Sequence, residues 1–218
     1  MLSHALRAAV ARNVSFSLVA SDGAVSSSLV LPASIQQGNL LIIYNHSYNN
    51  SSTIPTAATP SGFTQIYNQS LSTASKSARA IGSYKVANGT EGGTTITGMS
   101  GAVPVIYVIV YSTNSVAPNV TLLYTGIGGG ASMTNANPTD YTLSLSGRTK
   151  PVVAVGACYN ETPAQISFST TPDTQIPATD SSYRFAPKVF NTSPSNFSVT
   201  AGDGGNLNFN AAYAFEVS

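Results

Sequence analysis

The chain has 218 residues, of which 42% are hydrophobic and only 8% are charged, and its formal net charge is +1. The hydrophobic content is enough for one large β domain, but soluble domains usually have about 25% charged residues. A surface built from Ser, Thr, Asn and Gln with almost no net charge gives little repulsion between copies. This composition favours a protein that assembles with other proteins, and the nine dispersed basic residues argue against a nucleic-acid partner.

Residues 1–12 are predicted to form an N-terminal docking arm. Leu2, Leu6 and Val10 recur every four residues with alanines between them, and this spacing is typical of a short amphipathic helix. A helix of about three turns is marginal alone and needs a surface to pack on. No run of the sequence is long and apolar enough for a transmembrane helix, so no membrane partner is expected.

After residue 13 the pattern changes to short strands separated by turns. Residues 14–18 alternate between apolar and polar side chains, and Asp22 and Gly23 form a turn pair. The turn predicts that residues 25–31 return as the second strand of a hairpin. Polar or glycine-rich segments predict long loops at residues 45–61 and 126–138.

Four runs are almost continuously apolar, and the longest has the sequence VPVIYVIVYS at residues 103–112. A half-exposed strand would alternate with polar residues, so such runs predict strands that are buried on both faces. Pro104 cannot donate to a sheet and must stand at the start of its strand or at a bulge. With about a dozen short strands, the sequence predicts one antiparallel β-sandwich or jelly roll over residues 13–218. The other three apolar runs are residues 40–44, 152–158 and 211–217.

The sequence contains no recognisable catalytic or cofactor-binding pattern. Cys158 is the single cysteine and lies in an apolar run, which predicts a buried structural thiol. The two histidines, His4 and His46, have no metal-ligand spacing, and no Gly-x-Ser-x-Gly motif occurs. The acidic residues are scattered and mostly at turns, so neither an enzyme nor a cofactor or metal is expected.

A group of polar and aromatic residues at the start of the first loop offers a possible glycan site. Tyr44, His46, Tyr48 and Asn49 combine rings with amides, which suits stacking on sugars and hydrogen bonding to them. The alternative is that these tyrosines are wall residues of the sandwich, with their hydroxyls at its rim. The sequence leaves both interpretations open.

Three segments are similar in order and spacing to a pattern found in small virion structural proteins of tailed bacteriophages. They are residues 38–43 (GNLLII), 59–64 (TPSGFT) and 80–91 (AIGSYKVANGTE). Asn39 stands where the pattern often has Asp, and Phe63 where it has Trp. The resemblance implies a β-sandwich module of the capsid surface, tail or fibre that forms a homo-oligomer and catalyses no reaction.

The sequence therefore predicts a non-enzymatic virion structural protein, most simply one that decorates the capsid or another head or tail surface. Its expected partners are other virion proteins and copies of itself. The alternative hypothesis is a carbohydrate-binding adhesin or fibre-tip module that contacts a host surface glycan.

Overall fold

The computed structural model of the chain describes residues 14–128, 141–160, 166–177, 183–201 and 208–218. Within these ranges the regular elements are strands and every strand pair is antiparallel, which confirms the predicted all-β class. The same residues include no helix that could span a membrane. In chain order the strands are β1 (Ser17–Ala24), β2 (Ser28–Val30), β3 (Leu40–Asn49), β4 (Thr64–Ser72), β5 (Ser77–Val86), β6 (Thr95–Thr97), β7 (Val105–Ser112), β8 (Val120–Gly128), β9 (Tyr141–Leu143), β10 (Val152–Asn160), β11 (Ile166–Phe168), β12 (Tyr183–Phe190), β13 (Phe197–Ala201) and β14 (Asn208–Val217).

Two large sheets face each other across the main core. One has five strands in the order β1-β7-β3-β5-β4, and the other has four in the order β12-β10-β14-β8. Ile42 and Ile109 of the first sheet and Val153 and Phe215 of the second belong to one buried cluster. The four apolar runs of the sequence fall in β3, β7, β10 and β14, which are all internal strands of these sheets. Their predicted role as the sandwich core is confirmed.

A smaller sheet covers the outer face of each large sheet. The β2-β6 pair lies over the five-stranded sheet, where Leu29 and Ile96 pack in one cluster with Val108. The β11-β13-β9 sheet lies over the four-stranded sheet, where Val199 packs in a cluster with Ala212. The described chain is therefore a stack of four β layers.

The four layers explain why β7 is apolar throughout. Successive strand residues point to opposite faces, and both faces of β7 are covered, so every residue from Val105 to Tyr111 is at most 4% exposed. Pro104 directly precedes the strand, as predicted from its missing N–H.

Aromatic rings join the two large sheets. Tyr67 of β4 lies 5.8 Å from Tyr213 of β14, and Tyr84 of β5 lies 4.9 Å from Phe215 of β14, measured between ring centroids. Pairs at these distances stabilise a core beyond the area that they bury. Tyr213 is fully buried, and its hydroxyl has no hydrogen-bond partner among the described residues. This tyrosine is a core residue rather than a rim residue.

The start of the described chain is tied to a distant loop. The N–H of Phe16 donates to Asn191 Oδ1 at 2.8 Å, and Asn191 Nδ2 donates back to the carbonyl of Phe16 at 3.0 Å. Phe16 is 2% exposed, and its ring meets the Tyr111 ring edge-on with 6.0 Å between the ring centroids. This side-chain clasp links the five-stranded sheet to the turn that follows β12.

Several predicted boundaries were wrong. β1 pairs with β7, and β2 pairs with β6, so residues 14–31 do not form a hairpin. Residues 45–49 of the first predicted loop continue β3, and residues 126–128 of the second end β8. The predicted docking arm with Leu2, Leu6 and Val10, and residues 129–138 of the second loop, lie outside the described residues.

Candidate functional site

The structure places Tyr44 and His46 inside the sandwich rather than on its surface. Tyr44 is fully buried and His46 is 1% exposed. The His46 ring stacks on Tyr159 at 4.6 Å and meets Tyr183 at 4.8 Å, between centroids. A surface glycan cannot reach either residue, so the glycan interpretation does not hold for Tyr44 and His46. The reason is that β10 and β12 of the facing sheet cover this end of β3.

Burial also determines the charge state of His46. Its two ring nitrogens have no hydrogen-bond partner among the described residues. Removal from water disfavours the imidazolium and lowers the pKa of His46 from 6.5 to about 3. The ring is therefore neutral at physiological pH and serves as a packing element rather than a general base.

Tyr48 and Asn49 lie at the end of β3 and are half-buried. The Tyr48 hydroxyl donates to Asn50 Oδ1. Asn49 Nδ2 donates to the Thr53 carbonyl at 2.7 Å, and Asn49 Oδ1 accepts from the Ala102 N–H at 2.8 Å. Asn49 thus anchors two neighbouring segments of the chain. Glycan binding by Tyr48 and Asn49 stays a prediction.

The segments that carry the phage resemblance meet in space. The Gly38 N–H donates to the Ala87 carbonyl, and the Ala87 N–H donates to the Asn39 carbonyl, both at 2.8 Å. Residues 60–63 form a tight turn in which the Phe63 N–H donates to the Pro60 carbonyl at 3.1 Å. Gly62 occupies the left-handed region at φ 79° that such a turn requires. The signature is therefore one contiguous structural unit.

Glu91 holds this unit together. Its carboxylate lies 2.7 Å from Lys85 Nζ and accepts the backbone N–H groups of Asn88, Gly89 and Thr90 at 3.0–3.1 Å. Burial to 5% exposure acts to raise the pKa of this carboxyl, but the Lys85 ammonium and the backbone donors outweigh it and lower the pKa. Glu91, the last residue of the motif, thus stabilises a turn through its hydrogen bonds and stays ionised.

An open cleft of about 370 Å³ lies between the 60–63 turn, the Glu91 turn and β6. Leu31 and Ile96 line it as buried apolar residues, and Phe63 adds a half-buried ring. The ammonium of Lys85 lies 5.9 Å from the centroid of that ring. The cleft thus combines apolar surface, one ion pair and several exposed threonine or serine hydroxyls.

Sequence reasoning identified the segments around this cleft but not the cleft itself. A signal that could have indicated the ion pair is Lys85 followed by Asn-Gly and then by Glu91, because a turn brings the two ends of such a segment together. What the sequence could not supply is the pairing of β6 with β2, because this contact is set by tertiary packing.

Cys158 and the described acidic residues do not form a site in this part of the structure. Cys158 is fully buried, as predicted, and desolvation raises the pKa of its thiol well above the ordinary range. Within the described ranges, no three residues among His, Cys, Asp and Glu cluster as metal ligands would.

A search for known proteins similar to this chain found no matching family model, curated protein or solved structure.

Proposed function

We propose that the chain is a non-enzymatic structural protein of a tailed-bacteriophage virion, which sits on a capsid or tail surface as a symmetric homo-oligomer. The observation that carries the proposal is that the residues of the phage-like pattern make structural contacts. Glu91, Lys85, Gly62 and Asn39 fix turns and join strands. A sequence pattern built from residues with structural roles is expected of a structural protein.

The surface supplies a second line of support. The exposed large apolar residues include Leu18 and Val19 on β1, an edge strand of the five-stranded sheet, and Val25 just after it, which is 74% exposed. An edge strand presents unpaired backbone groups to other chains. With 8% charged residues in the chain, little repulsion opposes such a contact.

The proposal is tested on virus particles. Quantitative mass spectrometry of purified virions should find the protein at a copy number that matches a symmetric site on the head or tail. A chain that lacks residues 2–12 should fold, as judged by thermal denaturation, but should not be incorporated. Absence from purified particles would refute the proposal, and full incorporation of the truncated chain would remove the docking arm from it.

A second test addresses the oligomer in solution. Light scattering coupled to size-exclusion chromatography should give the mass of an oligomer, which is at least twice the 22.4 kDa of one chain. Replacing Leu18 and Val25 by lysine should reduce that mass if the β1 edge forms the contact, because the charge cannot be buried without a partner.

The alternative function, a carbohydrate-binding adhesin, also remains a proposal. Of the residues first considered, the burial of Tyr44 and His46 leaves Tyr48 and Asn49, and the cleft beside Lys85 is a second feature that favours this function.

A further inference from the structure

The cleft beside Lys85 has the composition of a small-molecule site. Its walls are two hydrogen-bonded turns and a strand, so its shape exists before any ligand arrives. Its volume of about 370 Å³ lies within the range usual for ligand sites, about 300–1,000 Å³. Pre-formed sites on fixed elements avoid the cost of ordering loops on binding.

The polar side chains at the cleft provide hydrogen-bond donors and acceptors. Lys85 Nζ carries three donors, and among the described residues its polar contact is the ion pair with Glu91. Thr95 and Thr97 are exposed, and strand alternation directs both hydroxyls to the same side of β6 while Ile96 points inward. Ser61 is exposed on the opposite wall.

The charge of the cleft selects among ligands. The Lys85 ammonium is balanced by the Glu91 carboxylate at 2.7 Å, so the site has no net charge from this pair. An anionic ligand would have to compete with Glu91 for the ammonium, and a cationic ligand would have to compete with Lys85 for the carboxylate. Among the apolar residues of the cleft, Phe63 is half-buried and keeps part of its ring accessible. Beside the exposed threonines, this ring favours a ligand that has an apolar face as well as hydroxyl groups. Neutral sugars have both.

We infer that this cleft, between Ser61–Phe63 on one side and Thr95–Thr97 on the other, binds a neutral saccharide unit of a glycan. The sugar hydroxyls bond to Lys85, Thr95 and Thr97, and the C–H face of the ring packs on the half-buried ring of Phe63. The inference rests on the carbohydrate-binding alternative and not on virion assembly, so its failure would remove the cleft from that alternative and leave the virion proposal intact.

The test begins with the full chain on an array of neutral and acidic oligosaccharides. The neutral oligosaccharide that gives the strongest signal is then titrated by calorimetry into the wild type, the double variant Thr95→Val/Thr97→Val and the cleft-filling variant Thr97→Arg. Thr121 is an exposed threonine of β8, away from the cleft, and Thr121→Val and Thr121→Arg are the matched controls. Thermal denaturation checks that every variant is folded.

The expected result is binding of a neutral oligosaccharide by the wild type and by both Thr121 variants. The loss of two hydroxyl contacts should weaken it about 10- to 30-fold in the double variant, and Thr97→Arg should abolish it. Amide resonances of residues 61–63 and 94–97 should shift on titration of the ¹⁵N-labelled protein.

Three results would overturn the inference. They are the absence of neutral-glycan binding at millimolar concentration, binding to acidic oligosaccharides alone, and equal affinity in the wild type and the folded double variant.

Discussion

Protonation of His46 is expected to weaken the fold in mild acid. The imidazole is 1% exposed and stacked against Tyr159 and Tyr183. Its described ring neighbours, which also include Tyr44, are neutral tyrosines. In the unfolded chain the imidazole is hydrated and accepts a proton at its ordinary pKa. In the folded chain it must remain neutral to much lower pH.

The size of the effect follows from the two pKa values. The folded-state pKa is about 3 and the ordinary value is 6.5. The unfolded state therefore binds more protons below pH 6.5, so stability is complete above that pH and is lost as the pH falls toward 3. Between pH 7.5 and 5.0 the loss attributable to His46 is about 2 kcal/mol, at about 1.4 kcal/mol for each pH unit below 6.5.

Urea denaturation at pH 5.0 and 7.5 measures this loss as the difference between the wild type and His46→Phe. Phenylalanine keeps a ring against Tyr159 but cannot titrate. Carboxylates elsewhere affect both proteins equally and cancel. The chain has one other histidine, His4, and His4→Gln in both backgrounds removes its contribution. A difference below about 0.5 kcal/mol, or an imidazole resonance that titrates near pH 6.5, would refute the argument.

Three further predictions concern the layers and the turn. Ile106→Ala and Ile109→Ala should each lower the free energy of unfolding by about 2–5 kcal/mol, because these side chains face opposite covered sides of β7. Gly82→Ala should cost about 1–3 kcal/mol, since a Cβ there would lie 2.2 Å from the Tyr67 ring. Glu91→Gln should cost about 1–3 kcal/mol at pH 7 through the loss of charge-assisted hydrogen bonds.

Each of these three predictions is measured by urea denaturation, and each has a control or a contradicting outcome. Val25→Ala, at an exposed position, should change stability by less than about 0.5 kcal/mol. If Ile106→Ala left the free energy of unfolding unchanged, this would contradict the presence of a covering layer over that face. Tyr67→Leu should relieve the Gly82→Ala clash, so additive losses would contradict the contact. The Glu91 difference should shrink as the pH falls through the lowered folded-state pKa of this carboxyl.

The internal strands were predictable from sequence because their apolar character is unbroken. Burial on both faces of β7 leaves no polar position, and Pro104 marks where the strand can begin. The pairing of the outer strands was not predictable in this way, because β2, β6, β9 and β11 have three residues each, and so short a pattern does not indicate which strand lies beside it. Their partners are set by tertiary packing.

The polar end of β3 shows a different limit. Asn45, His46 and Ser47 favour a loop by composition, yet they are at most 1% exposed and lie in the strand. A Cβ at Gly98 would lie 2.4 Å from Asn45 Oδ1, and one at Gly101 would lie 2.0 Å from Ser47 Oγ. Glycines distant in the chain let the backbone cover these polar side chains. That information is not local to β3.

The clasp between Phe16 and Asn191 has a consequence for synthesis of the chain on the ribosome. The five-stranded sheet has all its strands once Ser112 has been made. Its inner face, however, stays uncovered until β10, β12 and β14 emerge, and the clasp cannot close before residue 191 is made. A nascent chain with such an uncovered apolar face is prone to aggregate. Folding should therefore be completed only after release, and pauses in translation between residues 112 and 152 should reduce the yield of soluble protein.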